Sequence, residues 1–121
     1  DLNPDAIECL KKSIALNRKT LKGRINPIQS DIGDFQEKKT FDRVIMNHPS
    51  GSKNYLQIAF NFTELDSVIH YYTFAPIEGY EDFVREELSD YIDKVEIMNY
   101  TKIRQYSPTQ YHLAVDLRRT S

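Results

Sequence analysis

The chain has 121 residues, of which 40% are hydrophobic and 12% aromatic, enough apolar material for one packed domain or part of one. Its formal net charge is −2, so no general basic field attracts nucleic acid, and any contact with RNA must be local. The only cysteine, Cys9, excludes an intrachain disulfide and fits a reducing, intracellular setting; we expect it as a buried or half-buried helix residue. No apolar run reaches the ~18 residues of a membrane span.

The first part of the chain predicts a helix followed by a short strand. Asn3 and Pro4 are typical of a helix start, with Asp5 favourably placed near the positive end of the helix dipole. Apolar residues at helical spacing extend the predicted helix from Pro4 to about Asn17. After a glycine break, residues 24–29 are predicted as a strand, with a polar loop beyond it.

The middle of the chain predicts two strands, each followed by a helix. The unbroken apolar run Val44–Met46 is typical of a buried parallel strand, and it ends at the turn-rich segment 47–52. Ser52 is a candidate cap for the helix that follows. Residues 68–73 are strongly β-prone, and a helix with one apolar stripe is predicted over 78–91.

The end of the chain predicts an antiparallel hairpin. Residues 94–103 and 110–117 are two consecutive strands, separated only by residues 104–109. Alternating strands and helices that end in such a pair indicate an α/β fold with a mostly parallel sheet. Ligands of these sheets bind beyond the carboxyl ends of the strands, and the polar clusters at Asp31 and Asn47 follow two predicted strands, with Asp1 before the first helix.

Five stretches, in this order, carry a family resemblance: Asp1 to Ala6, Ser30-Asp31, Arg43 to Pro49, Val68 to Tyr72, and Tyr106 to Pro108 with Tyr111 to Asp116. They resemble class I AdoMet methyltransferases. More specifically, they resemble the archaeal and eukaryotic tRNA guanine-N1-methyltransferases (Met-10+ like) that modify the base 3′ of the anticodon. The resemblance covers nearly the whole chain and implies S-adenosyl-L-methionine as cofactor, tRNA as partner and a cytoplasmic protein, with a mitochondrial or nuclear one left open for a eukaryotic source.

The resemblance also implies that residues 1–121 are the C-terminal part of the catalytic domain. In the family, the acidic residue corresponding to Asp1 ends the second strand, so the first strand and the glycine-rich AdoMet loop are expected upstream. We therefore expect a Rossmann-like sheet that is incomplete on its N-terminal side and ends in an antiparallel hairpin. The strand at 24–29 would lack its neighbour, two copies of the chain could pair through exposed sheet edges, and the chain alone is expected to be inactive.

The resemblance assigns four residues to the cofactor: Asp1, Asp31, Ile32 and Asn47. Asp1 is expected to accept hydrogen bonds from the ribose hydroxyls, and Asp31 from the exocyclic amine of adenine, with Ile32 packed on the ring. A helix-starting charge at Asp1 and a turn aspartate at Asp31 are the structural alternatives. Asp34 competes with Asp31 for the adenine.

The segment Asn47-His48-Pro49, which we call the Asn-His-Pro turn, is the most informative feature. In AdoMet enzymes that act on planar nitrogen, such a turn presents the Asn side chain and nearby carbonyls to the base and cofactor, so Asn47 and Pro49 are the catalytic candidates. A plain turn after a strand is the structural alternative. Where the family commonly has an apolar residue, His48 could touch the base or phosphate or act as a proton shuttle; a solvent-facing or structural imidazole is the alternative.

The hairpin offers candidate contacts with tRNA. Lys102, Arg104 and Tyr106 are suited to phosphate contact or base stacking, although a solvated hairpin end fits equally well. No residue of the chain is an obvious base for the N1 proton of guanine, and in the family that base lies upstream.

Two other functions compete with methylation. The related wybutosine-pathway aminocarboxypropyl transferases share the fold and cofactor but lack the Asn-x-Pro turn. A non-catalytic α/β module that binds a nucleoside or a partner protein is the alternative from another class.

Overall fold

Helix α1 (Pro4–Leu16) and an irregular segment form the first of two units, Asp1–Glu37 and Lys38–Ser121, into which the computed structural model of residues 1–121 divides. Asn3 Oδ1 accepts the Asp5 amide at 2.9 Å and starts the helix, as predicted. The Asn17 carboxamide donates to the Ser13 carbonyl at 2.8 Å at its end. Cys9 lies in α1 but is exposed, contrary to expectation.

The strand predicted over residues 24–29 is wrong, because the segment is not part of any sheet. A strand needs a neighbour for its N–H and C=O groups. Here the Asp1 ammonium donates to the Ile28 carbonyl at 3.0 Å, and the Ser30 amide donates to the Asp1 carbonyl at 3.0 Å. These two hydrogen bonds have the pattern of one parallel bridge between Asp1 and Gln29. No strand of the sheet pairs with residues 24–29.

A four-stranded sheet forms the second unit, with the order β1-β2-β4-β3. The strands are β1 (Arg43–Met46), β2 (Val68–Pro76), β3 (Val95–Ser107) and β4 (Gln110–Arg119). Only β1 and β2 run parallel; β4 is antiparallel to both β2 and β3. The expectation of a mostly parallel sheet is therefore wrong for this unit, because the returning strand of the hairpin inserts beside β2.

One face of this sheet carries the core. Alternate residues of β2 and β4 are almost completely buried and pack with the two short helices α2 (Leu56–Asn61) and α3 (Tyr80–Glu87). The members of this core on the two strands are Ile69, Tyr71, Ala75, Leu113, Val115 and Leu117. Successive side chains of a strand point to opposite faces, so the residues between them form the second face.

Helix α3 is shorter than the sequence predicts. Gly79 has a left-handed φ of 74°, so α3 begins at Tyr80 instead of Glu78. It ends at Glu87, and tighter turns lead to Ile92–Lys94, which is a 3₁₀ helix. None of the helices is both long and apolar enough to cross a membrane.

The predicted hairpin is confirmed, with longer strands than expected. Strand β3 has 13 residues and pairs with the 10 residues of β4, and three register shifts absorb the difference. Only Pro108 and Thr109 connect the strands, so Arg104 and Tyr106 belong to β3 and not to the predicted loop.

Arg119 closes the C-terminal end of α2 and offers a test of this packing. Its guanidinium donates to the Phe60 carbonyl at 2.8 Å and to the Thr63 carbonyl, and lies over the Phe60 ring. We expect Arg119→Ala to lower the free energy of unfolding by about 2 kcal/mol, because two helix-end carbonyls lose a charged donor. Urea unfolding measures this.

The neighbouring arginine provides the control. Arg118 is exposed and pairs with Glu96, so Arg118→Ala should leave the unfolding midpoint nearly unchanged. Equal effects of the two substitutions would contradict the assigned role of Arg119.

Candidate active site

In the first unit, backbone hydrogen bonds bring Asp1 to the loop that contains Asp31. The Ser30 amide donates to the Asp1 carbonyl at 3.0 Å, immediately before Asp31 in the chain. The Asp1 carboxylate uses Oδ1 to accept the Asn3 amide at 2.8 Å, which supports the start of α1. Asp1 is exposed, and its Oδ2 accepts no hydrogen bond from the chain. Two of the predicted cofactor residues therefore lie on neighbouring backbone segments, each with acceptor capacity toward solvent.

The Asp31 loop is a tight turn stabilised by its own aspartate. Asp31 Oδ1 accepts the Gly33 amide at 2.8 Å, and the Asp34 amide donates to the Asp31 carbonyl at 3.1 Å. This bond gives Asp31 the structural role of a turn aspartate while leaving Oδ2 available. Ile32 is 46% exposed, so its side chain is open to contact with a flat apolar ring.

In the second unit, the Asn-His-Pro turn lies where β1 ends. Met46 is the last residue of β1 and pairs with Tyr71, whereas β2 continues to Pro76. Asn47 and His48 are exposed, and no hydrogen bond within the chain engages the Asn47 carboxamide. The strongest sequence candidate thus follows the carboxyl end of a parallel strand, as predicted, with its amide free to donate and accept. The expected burial of this strand is wrong, since Ile45 is 68% exposed.

Ser52 stabilises this turn from inside the protein. The sequence predicts Ser52 as a helix cap, but it is the first residue of a 3₁₀ helix (Ser52–Tyr55) and caps no amide. Its hydroxyl instead lies within hydrogen-bonding distance of two carbonyls, that of Met46 at 3.1 Å and that of His48 at 3.0 Å. The prediction fails because the turn brings the Met46 and His48 carbonyls close to the Ser52 hydroxyl. The hydroxyl therefore donates to these carbonyls and does not accept a hydrogen bond from a helix amide.

The His48 ring lies against Gly51. A Cβ atom built on Gly51 would come within 2.8 Å of His48 Nδ1, so the ring position needs a glycine here. The Gly51 amide donates to the His48 carbonyl at 2.9 Å, and the Tyr55 ring is 6.1 Å from the imidazole. His48 is therefore an exposed imidazole that packs against Gly51, next to Asn47 in the chain.

The three hairpin candidates separate onto two faces of the sheet. The Lys102 ammonium lies 5.0 Å from the ring centres of Tyr80 and Tyr111, where it stabilises aromatic packing. A register shift follows Lys102, so Arg104 is opposite His112 on the second face. Lys102 is thus apart from the other two candidates.

Tyr106 is an exposed ring with one face already covered. It stacks on Phe74 at 3.9 Å with 23° between the planes, and it is 51% exposed. The sequence does not indicate this stack, because Phe74 and Tyr106 are brought together only by the pairing of β2, β4 and β3.

A polar network on the second face also escaped sequence analysis. His70 Nδ1 lies 2.7 Å from Asp116 Oδ1, and His70 Nε2 lies 3.1 Å from a guanidinium nitrogen of Arg43. With Arg43 as donor, Nε2 must accept, so the neutral Nδ1–H form of His70 fits both contacts. The network joins three strands, and the alternation of β2 alone predicted only that His70 lies inside a strand.

Burial also perturbs one tyrosine in the core. The Tyr71 hydroxyl donates to Glu87 at 3.1 Å, and burial together with this carboxylate raises the pKa of Tyr71 well above its ordinary value. The Thr73 hydroxyl donates to the same carboxylate oxygen at 2.8 Å. This group links α3 to β2 and is structural, since it lies on the core face.

Solved structures with the same fold include a tRNA m1G37 methyltransferase, a complex with tRNA and a complex with AdoMet. The chain matches the crystal structure of the tRNA m1G37 methyltransferase of Methanocaldococcus jannaschii with a TM-score of 0.86 and 34% identity, over 100% of this chain and 36% of that one. A complex of aTrm5 with tRNALeu matches with a TM-score of 0.81 and 34% identity, over 99% and 34%. TYW2 of M. jannaschii in complex with AdoMet matches with a TM-score of 0.76 and 28% identity, over 98% and 56%.

These matches define the fold as that of the class I methyltransferases, which confirms the fold class predicted from the sequence. The chain belongs to the TRM5/TYW2 methyltransferase domain family, whose model matches residues 1–103. It is 36% identical over 124 residues to the tRNA (guanine(37)-N(1))-methyltransferase Trm5b of Pyrococcus abyssi, covering 98% of this chain and 36% of that protein. It is 34% identical over 119 residues to a tRNA(Phe) (4-demethylwyosine(37)-C(7)) aminocarboxypropyltransferase of M. jannaschii, covering 94% and 46%.

The chain thus spans less than half the length of these curated relatives. The family resemblance predicted from the sequence is confirmed.

Proposed function

We propose that the intact protein containing this chain transfers a methyl group from S-adenosylmethionine to N1 of the guanine 3′ of the anticodon in tRNA. The observation that carries this proposal is the free Asn47 carboxamide just after the end of β1, two residues before Pro49. Similarity to Trm5b over nearly the whole chain supports the same function. Because the chain spans about a third of that relative, the activity is proposed for the intact protein, and residues 1–121 alone are proposed to be inactive.

The proposed role of the Asn-His-Pro turn is orientation. A carboxamide both donates and accepts, so Asn47 can hold the edge of a base and contact the cofactor. Pro49 fixes the backbone dihedral after His48 and removes one competing amide donor. Holding the base in line with a reactive methyl group lowers the activation barrier, mainly because the two reactants lose less translational and rotational entropy on reaching the transition state. The N1 proton must leave to a base, and no residue of this chain is assigned that role.

Asp1, Asp31 and Ile32 are the proposed cofactor residues. When bound, S-adenosylmethionine supplies an electrophilic methyl group on sulfur. The free carboxylate oxygens of Asp1 and Asp31 are suited to accept ribose hydroxyls and an adenine amine, and the exposed Ile32 to pack on the adenine. The Asp1 carbonyl accepts the amide of Ser30, the residue before Asp31, and this contact supports a common nucleoside site in the first unit.

Arg104, Tyr106 and His48 are the proposed tRNA contacts. Residues 97–115 contain no Asp or Glu, so the hairpin is locally cationic in a chain of net charge −2. Arg104 can bind a phosphate, and the open face of Tyr106 can stack on an unpaired base. Lys102 is not proposed, because its ammonium is engaged by Tyr80 and Tyr111.

Aminocarboxypropyl transfer is the second candidate, favoured by the 34% identity to an enzyme with that activity. Both reactions start from S-adenosylmethionine but cleave different bonds to sulfur. Methyl transfer leaves S-adenosylhomocysteine, whereas aminocarboxypropyl transfer leaves methylthioadenosine. The by-product therefore separates the two functions independently of the tRNA analysis.

The product of the intact protein tests the proposed function. We expect unmodified tRNA incubated with methyl-deuterated S-adenosylmethionine to yield deuterated N1-methylguanosine and S-adenosylhomocysteine in equal amounts, detected by mass spectrometry. A transcript with adenine at the target position is the control and should remain unlabelled. Methylthioadenosine formed with tRNA(Phe) that carries 4-demethylwyosine would establish the second candidate instead, and intact protein that forms neither product on either tRNA would refute both.

Cofactor affinity tests the assignment of Asp31. Asp31→Asn keeps the acceptor for the Gly33 amide but places a donor group opposite the adenine amine, so we expect S-adenosylmethionine to bind the intact protein about tenfold more weakly. Isothermal titration calorimetry measures this. Asp34→Asn, three residues further along the same loop, is the matched control and should bind normally. The reverse pattern would assign the adenine to Asp34.

A further inference from the structure

We propose that Ser52 is a positioning residue for the reaction, because its hydroxyl holds the two peptide carbonyls that flank Asn47. The inference rests on the proposed function, since it gives Ser52 an effect on the methyl-transfer rate through Asn47. Ser52 contacts neither base nor cofactor in this proposal.

The geometry of Ser52 is unusual for a residue so close to an exposed turn. Its side chain is only 2% exposed, although the preceding segment 47–51 lies at the surface. The hydroxyl oxygen lies 3.1 Å from the Met46 carbonyl oxygen and 3.0 Å from the His48 carbonyl oxygen. One hydroxyl hydrogen is therefore shared between acceptors on the two sides of Asn47.

Holding both carbonyls restricts the backbone of the residue between them. The Met46 carbonyl is part of the peptide group that precedes Asn47, on the φ side of this residue. The His48 carbonyl is part of the second peptide group after Asn47, on its ψ side. With both oxygens tied to the same atom, the main chain at Asn47 cannot rotate without breaking a hydrogen bond. The direction of the Asn47 carboxamide follows from that backbone, because its rotamers depend on φ and ψ.

The remaining contacts of the turn cannot replace Ser52. The Gly51 amide donates to the His48 carbonyl at 2.9 Å and closes the turn on that side only. Ser52 is the side-chain donor to the Met46 carbonyl, on the side of Asn47 that the Gly51 bond does not reach. Removal of the hydroxyl thus takes a donor away from the Met46 carbonyl and frees the strand side of Asn47, with a cost in orientation at the target base.

The test is the single-turnover rate of methyl transfer by the intact protein. We expect Ser52→Ala to lower this rate about tenfold while leaving the KM values for S-adenosylmethionine and tRNA unchanged, because the carboxamide is misdirected but the binding groups remain.

Ser67 supplies the matched control. It is a second buried serine, 3% exposed, whose hydroxyl donates to the Phe41 carbonyl at 2.9 Å, just before β2 at the opposite end from the turn. Ser67→Ala should lower thermal stability to a similar extent and keep the wild-type rate. Equal rates for the two variants would overturn the proposal.

A pair of isosteric variants covers the case in which Ser52→Ala does not fold. Ser52→Thr keeps the hydroxyl and Ser52→Val replaces it with a methyl group of the same shape, so the Thr variant should be about tenfold faster. Equal rates for this pair would also overturn the role of Ser52. Wild-type protein that forms no N1-methylguanosine would instead refute the proposed function, so the two failures are distinguishable.

Discussion

Strand β2 is the constraint on which the second unit depends, because its hydrogen bonds on both edges set the positions of all the other strands. Its pairing with β1 is parallel and ends at Met46–Tyr71, while its pairing with β4 continues to Pro76. The chain must therefore leave the sheet at Asn47, and the hairpin extends further along the same strand. The exposed turn and the exposed Tyr106 both follow from this difference in length.

The core face gives this arrangement its rigidity. Ile69, Tyr71 and Ala75 have no exposed surface, and each is paired across to β4. A shift of one residue in the register would turn these side chains to the second face and bury His70 instead. The position of the turn is thus tied to the burial of several large side chains, none of which takes part in the proposed chemistry.

Local patterns in the sequence predicted the elements whose signals are local. Asn3-Pro4 fixes the start of α1, the apolar run before Asn47 fixes β1, and the alternation from Tyr111 to Leu117 fixes β4. The predicted strand at 24–29 failed because a strand exists only through a neighbour, which no local pattern reveals. The contacts of Ser52 and of Tyr106 were missed for the same reason: each depends on segments brought together by the sheet.

The residues of the candidate site could be predicted from the sequence, but the hydrogen bonds and packing contacts that hold them in place could not. Asn47, Asp1 and Asp31 were found because polar residues at the ends of predicted helices and strands are visible in the sequence, and their roles came from the family resemblance. What holds them was not visible: the Asp1 bridge to Ser30 and the hydroxyl beneath Asn47 appear only in the folded chain. The packing of the His48 ring against Gly51 is likewise seen only in the folded turn. Glycine is common in loops, so its presence in the sequence does not predict this contact.

The central claim is that the Asn47 carboxamide orients the target base. The most direct measurement is the single-turnover rate of N1-methylguanosine formation by intact protein with Asn47→Ala, compared with Asn54→Ala, an exposed asparagine in the following 3₁₀ helix. We predict a rate about 100-fold lower for Asn47→Ala and a rate close to wild type for Asn54→Ala. Methyl transfer at the wild-type rate without the Asn47 carboxamide would contradict it.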